Sequence, residues 1–336
     1  MCTSFQLRAD DGCVCVGRTM EFPDMLGARL TVLPRGIVLS STAPTGAGVT
    51  WTTAHGVVGM DAVGDPQWLT DGMNEVGLYA GALYMPGFAE YEQPSPVADK
   101  NLAILDLVGF TLSQAGTVAE AFALLSTVTV WGPVLPQLGG VPPLHLVLHD
   151  ASGAAGVVEF EDGAQRHREN PLGVATNAPY LDWHYDNVRN VLPRLSPANP
   201  PPIEIRGVSF APLAQGAGFA GLPGDSGSAS RFLRAAAYVM ASKPGATGRD
   251  AENSCLHILN NFDIPEGLMT GRGPTGVEQD DQTTWSSISN LTERRYIVRL
   301  QTNPTPFVVD LATADFSGRT PRQTELQPGG FAPISV

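Results

Sequence analysis

The chain has 336 residues, with 20 basic against 33 acidic side chains for a net charge of −13, 43% hydrophobic residues and only 16% charged ones. The acidic surplus excludes nucleic acid and anionic membrane surfaces as general partners, since binding there rests on clustered Lys and Arg, and so low a charged fraction excludes a largely disordered chain. Cys2, Cys13, Cys15 and Cys255 are too few for a disulfide scaffold, and no apolar run approaches the roughly 18 residues of a membrane span, so a soluble, cytoplasmic protein with reduced thiols is expected.

Residues 3–7 and 13–18 alternate apolar and polar around "ADDG" at 9–12, which reads as an N-terminal hairpin with Cys2 at the head of its first strand. Strand-like runs follow at 28–33, 37–41, 50–53, 56–60 and 76–84, the last after "DGMNEVG" at 71–77, read as a turn. Between 100 and 126 the apolar spacing becomes helical, with Gly116-Thr117 as punctuation. Strands return at 144–149, 155–160 and 173–176, and a helix capped by Asp182 is expected to about Val191. Pro- and Gly-rich connections occupy 133–143 and 193–228. Helices are expected over 228–241 and 249–260, and strands over 283–289, 294–301 and 306–311. Runs of antiparallel strands with helices in pairs suit two stacked sheets covered by helices, and nothing in the composition resembles a tether, so one domain over residues 1–336 is expected.

The chemistry concentrates at the start. Methionine is removed ahead of a small second residue, so excision of Met1 would place a thiol and a free α-amine on Cys2. An α-amine with a pKa of about 7.7–8.0 can take the thiol proton itself, and no separate histidine is needed. The hairpin returns Arg18 along the first strand, where a guanidinium favours the thiolate. His145 and His149 lie four apart on one strand, and Cys13 and Cys15 share a strand face, but further ligands at suitable spacing are lacking, so no metal or cofactor is expected. "GDSGSASR" at 224–231 lacks the lysine of a phosphate loop, and no G-x-S-x-G elbow occurs.

"MCT" at the start, "DGCVCVGRTMEF" at 11–22, "DGMNEVGL" at 71–78, "ATNAPYLDW" at 175–183 and "GLPGDSGSASRF" at 221–232 together resemble the choloylglycine hydrolases, a family of N-terminal nucleophile hydrolases containing bile salt hydrolases and penicillin V acylases. The resemblance implies a four-layer αββα sandwich that hydrolyses a linear amide C–N bond through a Cys2 thioester. It casts Cys2 as nucleophile, Arg18 as its neighbour, and Asn177 and the Tyr84 backbone as oxyanion donors. It makes Arg231 a second active-site arginine, and sets Glu21 where the family commonly has aspartate. Tyr84, a position held by asparagine in many bile salt hydrolases, tilts the reading toward the acylases; bile salt hydrolysis and N-acyl homoserine lactone hydrolysis are the alternatives. A silent binding protein that keeps Met1 is the alternative from another class. Loop position suggests acyl-pocket walls at Met20, Phe22, Met60, Val63, Trp68 and Leu138, with Met25, Leu26 and Val58 beside them. A homo-oligomer, a tetramer in many relatives, is expected.

Overall fold

The computed structural model describes residues 1–136, 139–272 and 278–330. Alternation at the N-terminus produces the hairpin: β1 (Cys2–Arg8) pairs antiparallel with β2 (Val14–Phe22), setting Cys2 opposite Met20 and Ser4 opposite Arg18. The turn is tied by Asp11 Oδ1, which accepts from the Cys13 N–H at 2.8 Å. Phe5 lies opposite Gly17, and a Cβ at Gly17 would come within 2.5 Å of its ring, so only glycine lets the ring lie across β2.

These strands form the middle of an antiparallel sheet in the order Val174–Ala175, β1, β2, Gln282–Asn290, Arg295–Leu300 and Asn303–Asp310. A second antiparallel sheet runs Ala164–Glu169, Ala155–Glu161, Leu144–Asp150, Leu78–Tyr84, Asp65–Asn74, Val57–Ala62, Leu30–Leu33 and Arg322–Thr324. The sheets meet through Val14, Val16, Trp285 and Tyr296 of the first and Met60, Met73 and Tyr79 of the second. Helices α1 (Leu107–Gln114) and α2 (Val118–Leu125) cover the outside of the second sheet. Helix α3 (Leu181–Val191) packs on α4 (Ser228–Ala241), and α4 and α5 (Gly248–Leu259) cover the first. This is the expected four-layer αββα order.

Two local expectations fail. Residues 71–74 are not turn but the end of the strand Asp65–Asn74, and only 75–77 reverse the chain. Pro66, Asp71 and Gly72 hide that strand from propensity, yet Gly72 is there because a Cβ would come within 2.5 Å of the Val58 carbonyl oxygen on the neighbouring strand. Asp182 does not cap its helix: Tyr180 is the N-cap, the Leu181 N–H goes to Glu159 at 2.8 Å, and Asp182 accepts from Arg168 at 3.1 Å.

Candidate active site

Cys2 begins β1 with its side chain turned between the sheets, and it is almost wholly buried. Its sulfur lies 3.7 Å from Arg18 Nη2, and the same nitrogen donates to the Ala82 carbonyl at 3.1 Å. The other arm of the guanidinium, Nη1, is 3.4 Å from Asp71 on the second sheet. Burial works against the Arg18 charge, but Asp71 and the groups around it carry the guanidinium above its ordinary pKa, so it is a permanent cation beside the thiol.

On the opposite side, the Cys2 backbone N–H donates to Asn177 Oδ1 at 3.0 Å, and Arg231 Nη2 donates to the same oxygen. Two donors on Oδ1 fix the amide's orientation, which sends Nδ2 toward the Tyr84 carbonyl and leaves its second hydrogen for another acceptor. The loop holding Asn177 is secured from behind, where its N–H donates to Ser228 Oγ at 3.0 Å and its carbonyl meets His184 Nε2 at 3.1 Å. Burial pushes both His184 and His145 down to about 4, so these imidazoles are neutral backbone clamps at neutral pH. Arg231, one turn into α4, also donates from Nη1 to the Cys2 carbonyl and to Thr3 Oγ1 at 2.8 Å.

Glu21 is buried on the helix side of β2 and accepts from Thr283 Oγ1 at 3.1 Å. Burial raises its carboxyl pKa, against the pull of the chain's α-ammonium and Arg231. With Met1 in place the Cys2 nitrogen is a peptide nitrogen. Met1 pairs with Glu21 through both backbone bonds, at 2.6 and 2.8 Å, and its ammonium stands 4.0 Å from Asp281. Cys2, Arg18, Glu21, Asn177 and Arg231 are thus brought together from four separate stretches of chain: β1, β2, the loop before α3, and α4.

A cleft of about 740 Å³ opens on the Cys2 side chain and is walled almost entirely by carbon. Of the residues suggested as walls, Met20, Phe22, Leu26, Val63 and Trp68 line it, and Tyr84 lines it as well. Met60 and Val58 do not: both side chains are fully buried in the core between the sheets, while irregular pairing at Asp61 and Ala62 turns the end of that strand toward the cleft. Met25 also packs against that core, and Leu138 lies outside the described residues. Sequence reading missed Ile104, Leu105, Leu135 and Leu144, whose apolar character marked them only as generic core. Val63 has φ +50°, a left-handed backbone that a β-branched residue rarely adopts. Cys13, Cys15 and Cys255 are free and buried away from Cys2, and among the described residues no group of three or more His, Cys, Asp or Glu could hold a metal ion.

The chain and its fold are similar to those of known proteins. The chain is 27% identical over 325 residues to a bile salt hydrolase/transferase of Clostridium perfringens, covering 95% of this chain and 94% of that one. It is 26% identical to a penicillin V acylase of Pectobacterium atrosepticum, covering 93% and 81% respectively. Its fold is similar to the crystal structure of the C2A mutant of the conjugated bile acid hydrolase from Clostridium perfringens, with a TM-score of 0.85, 25% identity and 97% of each chain covered. Residues 2–323 match the model of the linear amide C–N hydrolases, choloylglycine hydrolase family. With nine-tenths of its length matched and the same layered fold, the chain belongs to the choloylglycine hydrolase family of linear amide C–N hydrolases.

Proposed function

We propose that this hydrolase is a cysteine amidase of the penicillin V acylase kind, with Cys2 as nucleophile once Met1 is removed. The observation that carries the reading is Cys2 lining an apolar cleft, its sulfur 3.7 Å from Arg18 and its own nitrogen bound to Asn177. The freed α-amine takes the thiol proton, and the sulfur attacks the substrate carbonyl carbon. The oxyanion is met by the free hydrogen of Asn177 Nδ2 and the Tyr84 backbone N–H. Collapse breaks the C–N bond, and the α-ammonium returns its proton to the leaving amine. Water then attacks the Cys2 thioester with the same amine as base, releasing the carboxylic acid and restoring the thiol. Glu21 keeps the α-amine in place, and Arg231 keeps Asn177 aimed.

Aromatic walls from Phe22, Trp68 and Tyr84 favour an aryloxyacyl group such as that of penicillin V. The test is intact mass followed by a panel of penicillin V, a glycine-conjugated bile acid and an N-acyl homoserine lactone. The expected result is a chain starting at Cys2 with the highest kcat/KM on penicillin V, and no turnover by Cys2→Ala. A chain retaining Met1 that still turns over, or an active Cys2→Ala, refutes the mechanism.

The unpaired thiols support a cytoplasmic setting. The exposed hairpin Ile203–Ile205/Val208–Phe210, with Ile203, Ile205, Val208 and Phe210 all more than half exposed, supports a homo-oligomer, to be measured by light scattering.

A further inference from the structure

Behind Arg18 lies a charge that the chemistry above does not use. Asp71 is fully buried, lies outside the lining of the cleft, and is held on both oxygens: Ser287 Oγ donates to Oδ2 at 2.5 Å and Tyr296 Oη to Oδ1 at 2.8 Å. The guanidinium of Arg18 is correspondingly divided. Its Nη2 faces the Cys2 sulfur, Met20 Sδ and the Ala82 carbonyl, whereas Nε and Nη1 make no hydrogen bond, and the 3.4 Å ion pair to Asp71 is what engages the Nη1 end.

The titratable groups facing Arg18 come from four strands: Cys2 on β1, Asp71 on Asp65–Asn74, Tyr79 on Leu78–Tyr84 and Tyr296 on Arg295–Leu300. Arg231 and Tyr79 also face Cys2, and on the mature chain the α-amine of Cys2 itself, with Glu21 beside it, belongs to the same set. Burial pushes both tyrosines far above their ordinary range, so they are neutral throughout the working pH. Asp71 is therefore the one carboxylate among the groups named as facing Arg18.

We propose that Asp71 is the positioning residue of the site, its carboxylate fixing the Arg18 guanidinium against the Cys2 sulfur and setting how much positive charge that sulfur feels. The inference rests on Cys2 being the nucleophile. A carboxylate clamped by two neutral donors cannot swing to follow Arg18, so Arg18 must come to it, and that geometry presents Nη2 to the sulfur. The same carboxylate partly cancels the guanidinium's field, which keeps the thiolate reactive instead of over-stabilised.

The test is Asp71→Asn, which keeps the shape and removes the charge, with Ser287→Ala as second variant. The readouts are kcat and KM on penicillin V, and the pH dependence of Cys2 alkylation by iodoacetamide, followed by peptide mass mapping. For Asp71→Asn the expected result is kcat reduced at least 30-fold, KM within threefold, and an alkylation midpoint displaced to lower pH. A purely structural role would leave the midpoint in place or carry it upward as the site loosens. Ser287→Ala strips a donor from the oxygen facing Arg18, concentrates the carboxylate's charge on that pair, and should move the midpoint to higher pH. Wild-type kcat in Asp71→Asn, or a midpoint that stays or rises, overturns the proposal. If Asp71→Asn does not fold, Ser287→Ala decides alone, and an unmoved midpoint overturns it. Cys2→Ala, run in parallel, separates the two ideas: if it is inactive while Asp71→Asn is normal, only the role of Asp71 falls, whereas an active Cys2→Ala removes the nucleophile itself.

Discussion

Asp106 offers a stability experiment whose size follows from the structure. It ends the turn Ile104–Asp106, whose first two residues wall the cleft. Its carboxylate is 1% exposed and accepts from Ser41 Oγ at 2.6 Å and Gln67 Nε2 at 2.5 Å. Burial nevertheless pushes its pKa from 3.8 up to about 6. The folded state thus binds the proton more tightly than the unfolded chain, so this group costs stability as pH rises from about 4 through 6, and the cost is complete above that window. At about 1.4 kcal/mol per unit, the penalty is about 3 kcal/mol at pH 8 and about 1 kcal/mol at pH 4.5. Asp106→Asn removes the ionisation at both pH values while any hydrogen-bond mismatch of the amide is common to both. The variant should therefore gain about 2 kcal/mol more, relative to wild type, at pH 8 than at pH 4.5. Urea denaturation followed by tryptophan fluorescence at the two pH values measures this difference directly. An equal effect at both, or a larger gain at pH 4.5, would refute the reasoning.

Val63→Gly should relieve the left-handed strain at φ +50°, raising stability by about 1 kcal/mol in a thermal melt, while KM for apolar acyl substrates rises because a cleft wall is lost. Gly17→Ala should cost about 1–3 kcal/mol, read from the urea midpoint, since the new methyl meets the Phe5 ring at 2.5 Å. Arg231→Lys keeps the charge but cannot reach Asn177 Oδ1, the Cys2 carbonyl and Ser226 together; kcat should fall about 10²-fold or more in steady-state assays as Asn177, the proposed oxyanion donor, loses its aim.

How much of this could be read from residues alone depends on how local the signal is. The Cys2–Arg18 juxtaposition was legible because a tight turn with alternating flanks fixes a register. Helix α4 was legible because its apolar stripe is long and uninterrupted. Asn177, Arg231, Glu21 and Tyr84 came only from a resemblance across several blocks; nothing local separates Asn177 from a turn residue before proline. The strand Asp65–Asn74 was hidden because its β character comes from a close glycine contact with Val57–Ala62 and not from propensity. The cleft was the least legible: Ile104, Leu135 and Leu144 are ordinary core residues by type, and only the three-dimensional meeting of their segments makes them walls. Met60 shows the converse, a plausible wall by position that the sheet interior claims.

One feature of the site reaches into biosynthesis. The bond from Arg231 to the Cys2 carbonyl joins positions 229 residues apart, and the Asn177 loop hangs on Ser228 at the start of the same helix. At about 5–20 residues per second, Cys2 is synthesised roughly 10–50 s before the helix that braces it has been made. During that interval the amino end of β1 is a strand without its clamp, open to an aminopeptidase. Once α4 docks, Met1 is bound to Glu21 and lies against Arg231. On the proposed mechanism, trimming of the terminal methionine would run against translation, with the distance from Cys2 to Arg231 along the chain setting its clock.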